Sequence, residues 1–322
     1  MTERADRTSG SEPGTRKAVY AALAANVLIA ASKLFAGSIS GSAALLSEGV
    51  HSIADSANEV LLLIGLRTSS SRPDEEHPFG HEQDRFFWSF LVAVLIFFVG
   101  ALFSFYTGLK AVLGGEGDRG SFLINYLVLL AAFVFEGSAL AINSREFLHE
   151  ARSEGRQPLE HFRLTRNTTM KVPLFEDAAA LVGVVIAAAG ISLTQITGRE
   201  LFDGLASICI GLILAAVAWR LGADSHALLL GEAMVKEDRE RALRIISSFP
   251  EVRDVLRLLT MHLGPDSVLL NAEIHVVDGL DTDAIEDLLE RITQAVRSEV
   301  PEVTQTFIEL HPGRSQNRPG PG

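Results

Sequence analysis

Residues Ser47–Gly65 read SEGVHSIADSANEVLLLIG. Leu, Val, Ile and Ala make much of this stretch apolar enough for a bilayer, yet Glu48, His51, Asp55, Asn58 and Glu59 interrupt it. These positions advance in steps of three or four, so they fall along one face of a helix. On insertion scales an Asp at a helix centre costs about 2.5–3.5 kcal/mol, while each Leu, Ile or Val returns only about 0.3–0.6 kcal/mol. The polar stripe must therefore turn toward protein or water. His51 and Asp55, one turn apart, offer an imidazole nitrogen and a carboxylate oxygen to a single borderline divalent ion or to a proton. The same pair also suits an interhelical hydrogen bond that locks packing.

Outward from this helix, the chain of 322 residues is 48% hydrophobic with a net charge of -12, a membrane-protein balance with a soluble appendage. Six apolar segments reach the roughly 20 residues that a spanning helix needs: Val19–Gly37, Ala43–Leu66, Phe86–Leu113, Phe122–Ile142, Val172–Ile196 and Leu201–Leu221. The leader MTERADRTSGSEPGTRK (1–17) reads as disordered and lacks the pattern of a cleaved signal. Arg4, Arg7, Arg16 and Lys17 precede the first segment; Arg67, Arg72 and Arg85 follow the second; Arg145, Arg152, Arg156, Arg163, Arg166 and Lys171 follow the fourth. The opposite loops hold little beyond Lys110, Arg119 and Arg199, so both termini are expected on the cytoplasmic side. A multi-pass integral membrane protein is expected.

Beyond Leu221 the pattern changes. A helix fits Lys236–Ser248, strands fit Val255–Leu263 and Val268–Val277 around a Gly-Pro-Asp turn, and a second helix follows Asp281 or Thr282 as its N-cap. Its apolar stripe is Ile285, Leu288, Leu289, Ile292 and Val296, and Thr304–Leu310 supplies a last strand. The expected fold is an all-α, six-helix transmembrane domain (18–222) followed by a cytoplasmic α+β domain (223–312) of order αββαβ, ferredoxin-like, with a disordered tail (313–322).

Other polar residues stand in apolar surroundings. Glu176 and Asp177 open the fifth segment, either as ion-path acids or as N-terminal acids complementing the helix dipole, with Pro173 in the first turn. Glu136 in the fourth segment is a further, isolated candidate, with a hydrogen bond to a neighbouring helix as its alternative reading. Asn26 and Lys33 share a face of the first segment and read as packing and snorkelling residues. The single cysteine, Cys209, reads as a small core residue and excludes an intrachain disulfide.

NVLIAASKLFAG, LLSEGVHSIADSANE, HPFGHEQDRFFW, FEDAAALVG and TMHLGPDSVLLNAEIHV together resemble, in order, the cation diffusion facilitator family of divalent-metal transporters. The resemblance runs from about Lys17 to Pro312. It implies a homodimer that exports divalent metal, usually zinc, in exchange for protons by alternating access. It also implies a central tetrahedral site. His51 and Asp55 match the family's second-helix motif; in the fifth helix Asp177 matches the acidic position, but Pro173 stands where a ligand is usual. Glu176 or a water then completes the set, and an oxygen-richer site admits Mn, Fe or Co ions alongside zinc. Asp74, His77 and His81 match a family site in the loop after the second helix, with Gln83 where a Lys is frequent. Their alternative reading is a solvated loop shaped by Pro73 and Pro78. Relatives bind metal at the dimer interface of the soluble domain. There Glu273 with His275, and Glu309 with His311, project from strand faces as ligand pairs or as a solvated sheet face.

Ligand chemistry couples such a site to protons, because imidazole must be neutral and carboxylates ionised to hold a cation. The expected partners are divalent metal ions, protons, the lipid bilayer and a second copy of the chain, with no nucleic acid and no catalytic cofactor. Enzyme activity is not expected: no nucleophile elbow, phosphate loop or zinc-protease motif is present. A transporter of organic cations and a membrane-anchored metal sensor are the rival readings.

Overall fold

The protein is described here by a computed structural model covering residues 13–114, 122–153, 155–164 and 168–312. The leader as far as residue 12, the tail 313–322, and Arg4, Arg7, Arg119 and Arg166 of the orientation argument lie outside these residues. The chain divides into two compact units.

The first unit is helical. It contains α1 (Pro13–Ser40), most of α2 (Ala43–Ser69) and, from Trp88 onward, a continuous helix made of α3 (Asp84–Leu95), a π-helical turn (Ile96–Ala101) and α4 (Leu102–Gly114). It continues with α5 (Phe122–Ser153), a short α6 (Pro158–Leu164), α7 (Thr168–Thr197) and α8 (Leu201–Leu229). Among the described residues four helices are long and apolar enough to cross a membrane: Asp84–Gly114, Leu123–Ser153, Met170–Thr197 and Leu201–Leu229. Helix α1 adds a shorter apolar piece, Ala24–Ser40, and α2 is as long as a span but carries the charged stripe.

The unit has an apolar core, but burial on α2 is inverted relative to a helix of a water-soluble bundle. On α2 the polar residues Glu48, His51 and Asn58 are buried, while Ile53, Val60, Leu63 and Ile64 are exposed. Trp219 of α8 is 81% exposed. Such an exterior suits lipid, and Glu48 and Asn58 find partners inside. Small residues permit close crossings: a Cβ on Gly108 of α4 would lie 2.7 Å from the Gly204 carbonyl oxygen of α8. Beside this crossing the hydroxyls of Ser47, Thr107 and Ser207 contact one another at 2.6–3.1 Å, tying α2, α4 and α8 together.

Several expectations are corrected. Helices α5 and α8 continue well past Ile142 and Leu221, because a helix need not stop where its sequence becomes polar. Pro173 lies inside α7, which begins at Thr168. Glu176 and Asp177 are therefore beyond the first turn, outside the reach of helix-dipole capping. Cys209 is exposed on α8, not in the core. Lys33 is fully buried and does not snorkel.

The second unit groups Arg67–Phe87 with the C-terminal residues. Its order is α9 (Lys236–Ser247), β1 (Val252–Gly264), β2 (Ser267–Val276), α10 (Thr282–Glu299) and β3 (Val303–Leu310), the expected αββαβ. β1 pairs antiparallel with β2, and β2 pairs parallel with β3 through the α10 crossover. Val268, Leu270, Ala272 and Ile274 alternate into the core against Ile246, Leu288, Ile292 and Val296 of the two helices. Asp281 is the N-cap of α10: its carboxylate accepts the Ala284 N–H at 2.9 Å.

Candidate functional site

The polar face of α2 opens on a cavity of about 340 Å³ within the first unit. Four helices build its wall: α1 with Asn26, α2 with Ser52, Asp55 and Glu59, α5 with Glu136 and Asn143, and α7 with Pro173, Glu176 and Asp177. Five carboxylates thus face one space whose lining contains no lysine, arginine or histidine. The polar stripe of α2 is turned inward by the apolar residues of its opposite face, and α7 meets it with two consecutive acids.

Four of the five acids are held by a neutral donor or a buried cation. Asn58 Nδ2 donates to Glu176 Oε1 at 2.6 Å, Asn143 Nδ2 donates to Asp177, and Asn26 Nδ2 donates to Glu59. Lys33 Nζ donates to Glu136 Oε1 at 3.3 Å. Amide donors orient carboxylates without bringing a counter-charge of their own.

His51 is 1% exposed, and its Nδ1 lies 3.3 Å from Asp55 Oδ1. Neither of its ring nitrogens has a hydrogen-bond partner, nor has Asp55 Oδ1. Buried polar atoms left unpaired are costly and call for a missing partner. A cation beside Asp55 would supply one.

Of the four intramembrane candidates, then, Asp55, Glu176 and Asp177 line the same cavity, and His51 adjoins it through Asp55. They do not close into a coordination sphere here. Among the described residues, the one group of three or more His, Cys, Asp or Glu ligand atoms lying within 4.8 Å of one another is Asp74, His77 and His81. In that triad His81 Nε2 is 3.0 Å from Asp74 Oδ2 and His77 Nδ1 is 3.3 Å from Asp74 Oδ1. The Asp74 carboxylate also accepts the backbone N–H groups of Glu76 and His77. These hydrogen bonds, the His77 amide first and His81 next, lower its pKa to about 2. Phe79, between the two histidines, meets Phe307 of β3 edge to face.

On the sheet, three of the four candidate side chains have other partners. Arg257 donates to Glu273 at 3.3 Å, Asn271 donates to Glu309 at 3.4 Å, and His275 Nδ1 lies 3.2 Å from the His311 carbonyl oxygen. Glu273 and Glu309 are register partners across β2 and β3. Metal there would have to displace the Arg257 guanidinium.

Sequence reasoning did not assign Asn143 or the partners of Lys33. Asn143 falls one residue beyond the expected end of the fourth segment, on the part of α5 that hydropathy does not mark. Asp203 was also missed: it accepts hydrogen bonds from Ser42 Oγ at 2.7 Å and from the Ala43 amide, capping α2 from the start of α8. Only its place in the first turn of an apolar helix signals it.

Comparison with known proteins adds independent information. Residues 19–230 match the family model described as the cation efflux transmembrane domain, and residues 234–313 match the cation efflux protein cytoplasmic domain. The chain is 32% identical over 305 residues to the mitochondrial proton-coupled zinc antiporter of Homo sapiens, covering 92% of this chain and 53% of that protein. It is 27% identical to the cation-efflux pump FieF of Cronobacter sakazakii, over 89% of each chain. It is 23% identical to the manganese efflux system protein MneP of Bacillus subtilis, over 94% of this chain and 98% of that one. The chain spans about half the length of the first of these relatives.

Proposed function

The chain belongs to the cation efflux family, an integral membrane family, and from that premise we propose that it exports divalent metal cations, zinc foremost, in exchange for protons. The observation that carries this reading is the cavity walled by Asp55, Glu59, Glu136, Glu176 and Asp177, with the unpaired nitrogens of His51 beside it. In a low-dielectric surrounding such a cluster of acids is favourable only when it is protonated or holds a cation. That alternative is the antiport: a metal ion takes the place of protons, and protons displace the metal.

As substrate, the ion would be held by His51, Asp55, Asp177 and Glu176. Asn58 and Asn143 fix the rotamers of the two α7 acids, so that α2 and α7 approach one ion from opposite sides. The working unit is a homodimer in a bacterial inner membrane, with both termini and the αββαβ domain in the cytoplasm. The triad Asp74, His77 and His81 is a second divalent-metal site. Efflux of manganese, iron or cobalt by the same route is the second reading, favoured by one histidine among many carboxylate oxygens.

The test is zinc flux in liposomes carrying the purified protein. Asp55→Ala is expected to reduce flux to the level of empty liposomes while gel filtration shows an unchanged particle. Near-normal flux from a folded variant would make the α2 stripe structural and remove the proposal.

A further inference from the structure

Lys33 is 0% exposed in the middle of the acidic cluster, and its ammonium makes three contacts: Ser52 Oγ at 2.8 Å, Glu48 Oε2 at 3.2 Å and Glu136 Oε1 at 3.3 Å. An ammonium has three donors, so its hydrogen-bonding capacity is filled by three oxygens from two other helices. Two of those oxygens, on Ser52 and Glu136, belong to residues that line the cavity. The remaining oxygen of Glu48, Oε1, is buried without a hydrogen-bond partner. It lies against Gly183 of α7, where any Cβ would collide with the carboxylate.

This is the donor set of a hard divalent ion, two carboxylates and a hydroxyl, with an ammonium at its centre. The charges match as well: two carboxylates in their ionised form call for two positive charges, which a divalent ion supplies in full and one ammonium by half. We propose that Lys33 is a tethered resident cation standing where a second metal ion would otherwise bind, which limits the cavity to a single transported ion. The inference deepens the proposed function and rests on the cavity being a cation site.

The mechanism is electrostatic and steric. The ammonium cannot leave, since α1 carries it, and it repels a second divalent ion in the same low-dielectric space. It also keeps Glu136 turned to the Lys33 side of the cavity, leaving Asp55, Glu176 and Asp177 for the ion in transit. Lys33 is thus a positioning and stoichiometry-setting residue and does not itself touch the transported metal.

The test counts ions. Full-length parent and Lys33→Ala, each purified with and without excess Mn2+, are brought to equilibrium with Mn2+ by dialysis, and bound metal per protomer is measured. Comparing the two cancels any ion held by the loop triad or the sheet. Lys33→Ala is expected to bind an additional ion per protomer, and Lys33→Ala/Glu136→Gln to return to the parent value. Should Lys33→Ala fold only when purified in Mn2+, the ion is replacing the ammonium and the proposal is supported. An unchanged count, or failure to fold even with Mn2+, makes Lys33 a packing residue and overturns it. A parent that carries no zinc flux while Lys33→Ala still gains an ion would sink the transport reading and leave this inference standing.

Discussion

Three asparagines, Asn26, Asn58 and Asn143, each give an amide proton to a different cavity acid. A neutral donor fixes one carboxylate oxygen and leaves the other for a ligand, which suits a site that must bind and release. Outer partners of this kind typically govern metal affinity by about 10–100-fold. Asn58→Ala is therefore expected to weaken metal binding by about that factor while flux at saturating metal survives, as measured by titration and transport on the same preparation. Unchanged affinity would mean that Glu176 is not a ligand. In the loop, the depressed pKa of Asp74 sets a pH window. A carboxyl lowered from 3.8 to about 2 contributes loop stability that is fully present above the ordinary value and is lost as pH falls through about 2. NMR of the Asp74 side-chain carboxyl in the metal-free protein is expected to titrate near the lower value; a midpoint at the ordinary one would show that the loop hydrogen bonds do not persist in solution.

Among elements, α2 is the decisive one. Its buried face is polar and its outer face apolar, so it gains by burying its stripe against α1, α5 and α7. That burial depends on close approach, and Gly183 is where α7 admits the Glu48 carboxylate. Glu48 cannot readily step aside, because it is held by Lys33. Gly183→Ala is expected to destabilise the helical unit by about 1–3 kcal/mol, the usual cost of overpacking. A lowered midpoint in thermal unfolding in detergent would register it, and an unaltered midpoint would mean that the helices separate at no cost. Element ends were the least legible part of the sequence: α5 runs to Ser153 where hydropathy had placed the end at Ile142. Hydropathy reports the lipid layer, whereas a helix is ended by its backbone hydrogen bonding, which continues into water.

For the whole molecule, the proposed exchange of metal for protons predicts that a pH gradient drives transport. Zinc flux in liposomes is expected to rise when the side toward which zinc is exported is made acidic and to fall when the gradient is reversed, because the protons that displace the metal enter from that side. Equal rates in both directions would remove the antiport and leave a uniporter. Much of this molecule was legible beforehand, for definite reasons. Periodicity alone put Glu48, His51, Asp55 and Glu59 on one face, alternation in Ser267–Val276 gave β2 its buried side, and Asp281 announced its helix. These are local properties, fixed by the helical and strand repeats wherever the segment sits. The sequence could not say which residues answer the stripe from elsewhere in the chain. Lys33 lies 15 positions from Glu48 and 103 from Glu136, and Asn58 lies 118 from Glu176. Only tertiary packing decided that Lys33 is enclosed and not snorkelling, that Pro173 sits within its helix, and that the acids of α2, α5 and α7 share one cavity. The reason is physical: a buried charge takes its role from whatever opposes it across a gap of a few ångströms, and that neighbour is chosen by the packing of helices, not by adjacency along the chain.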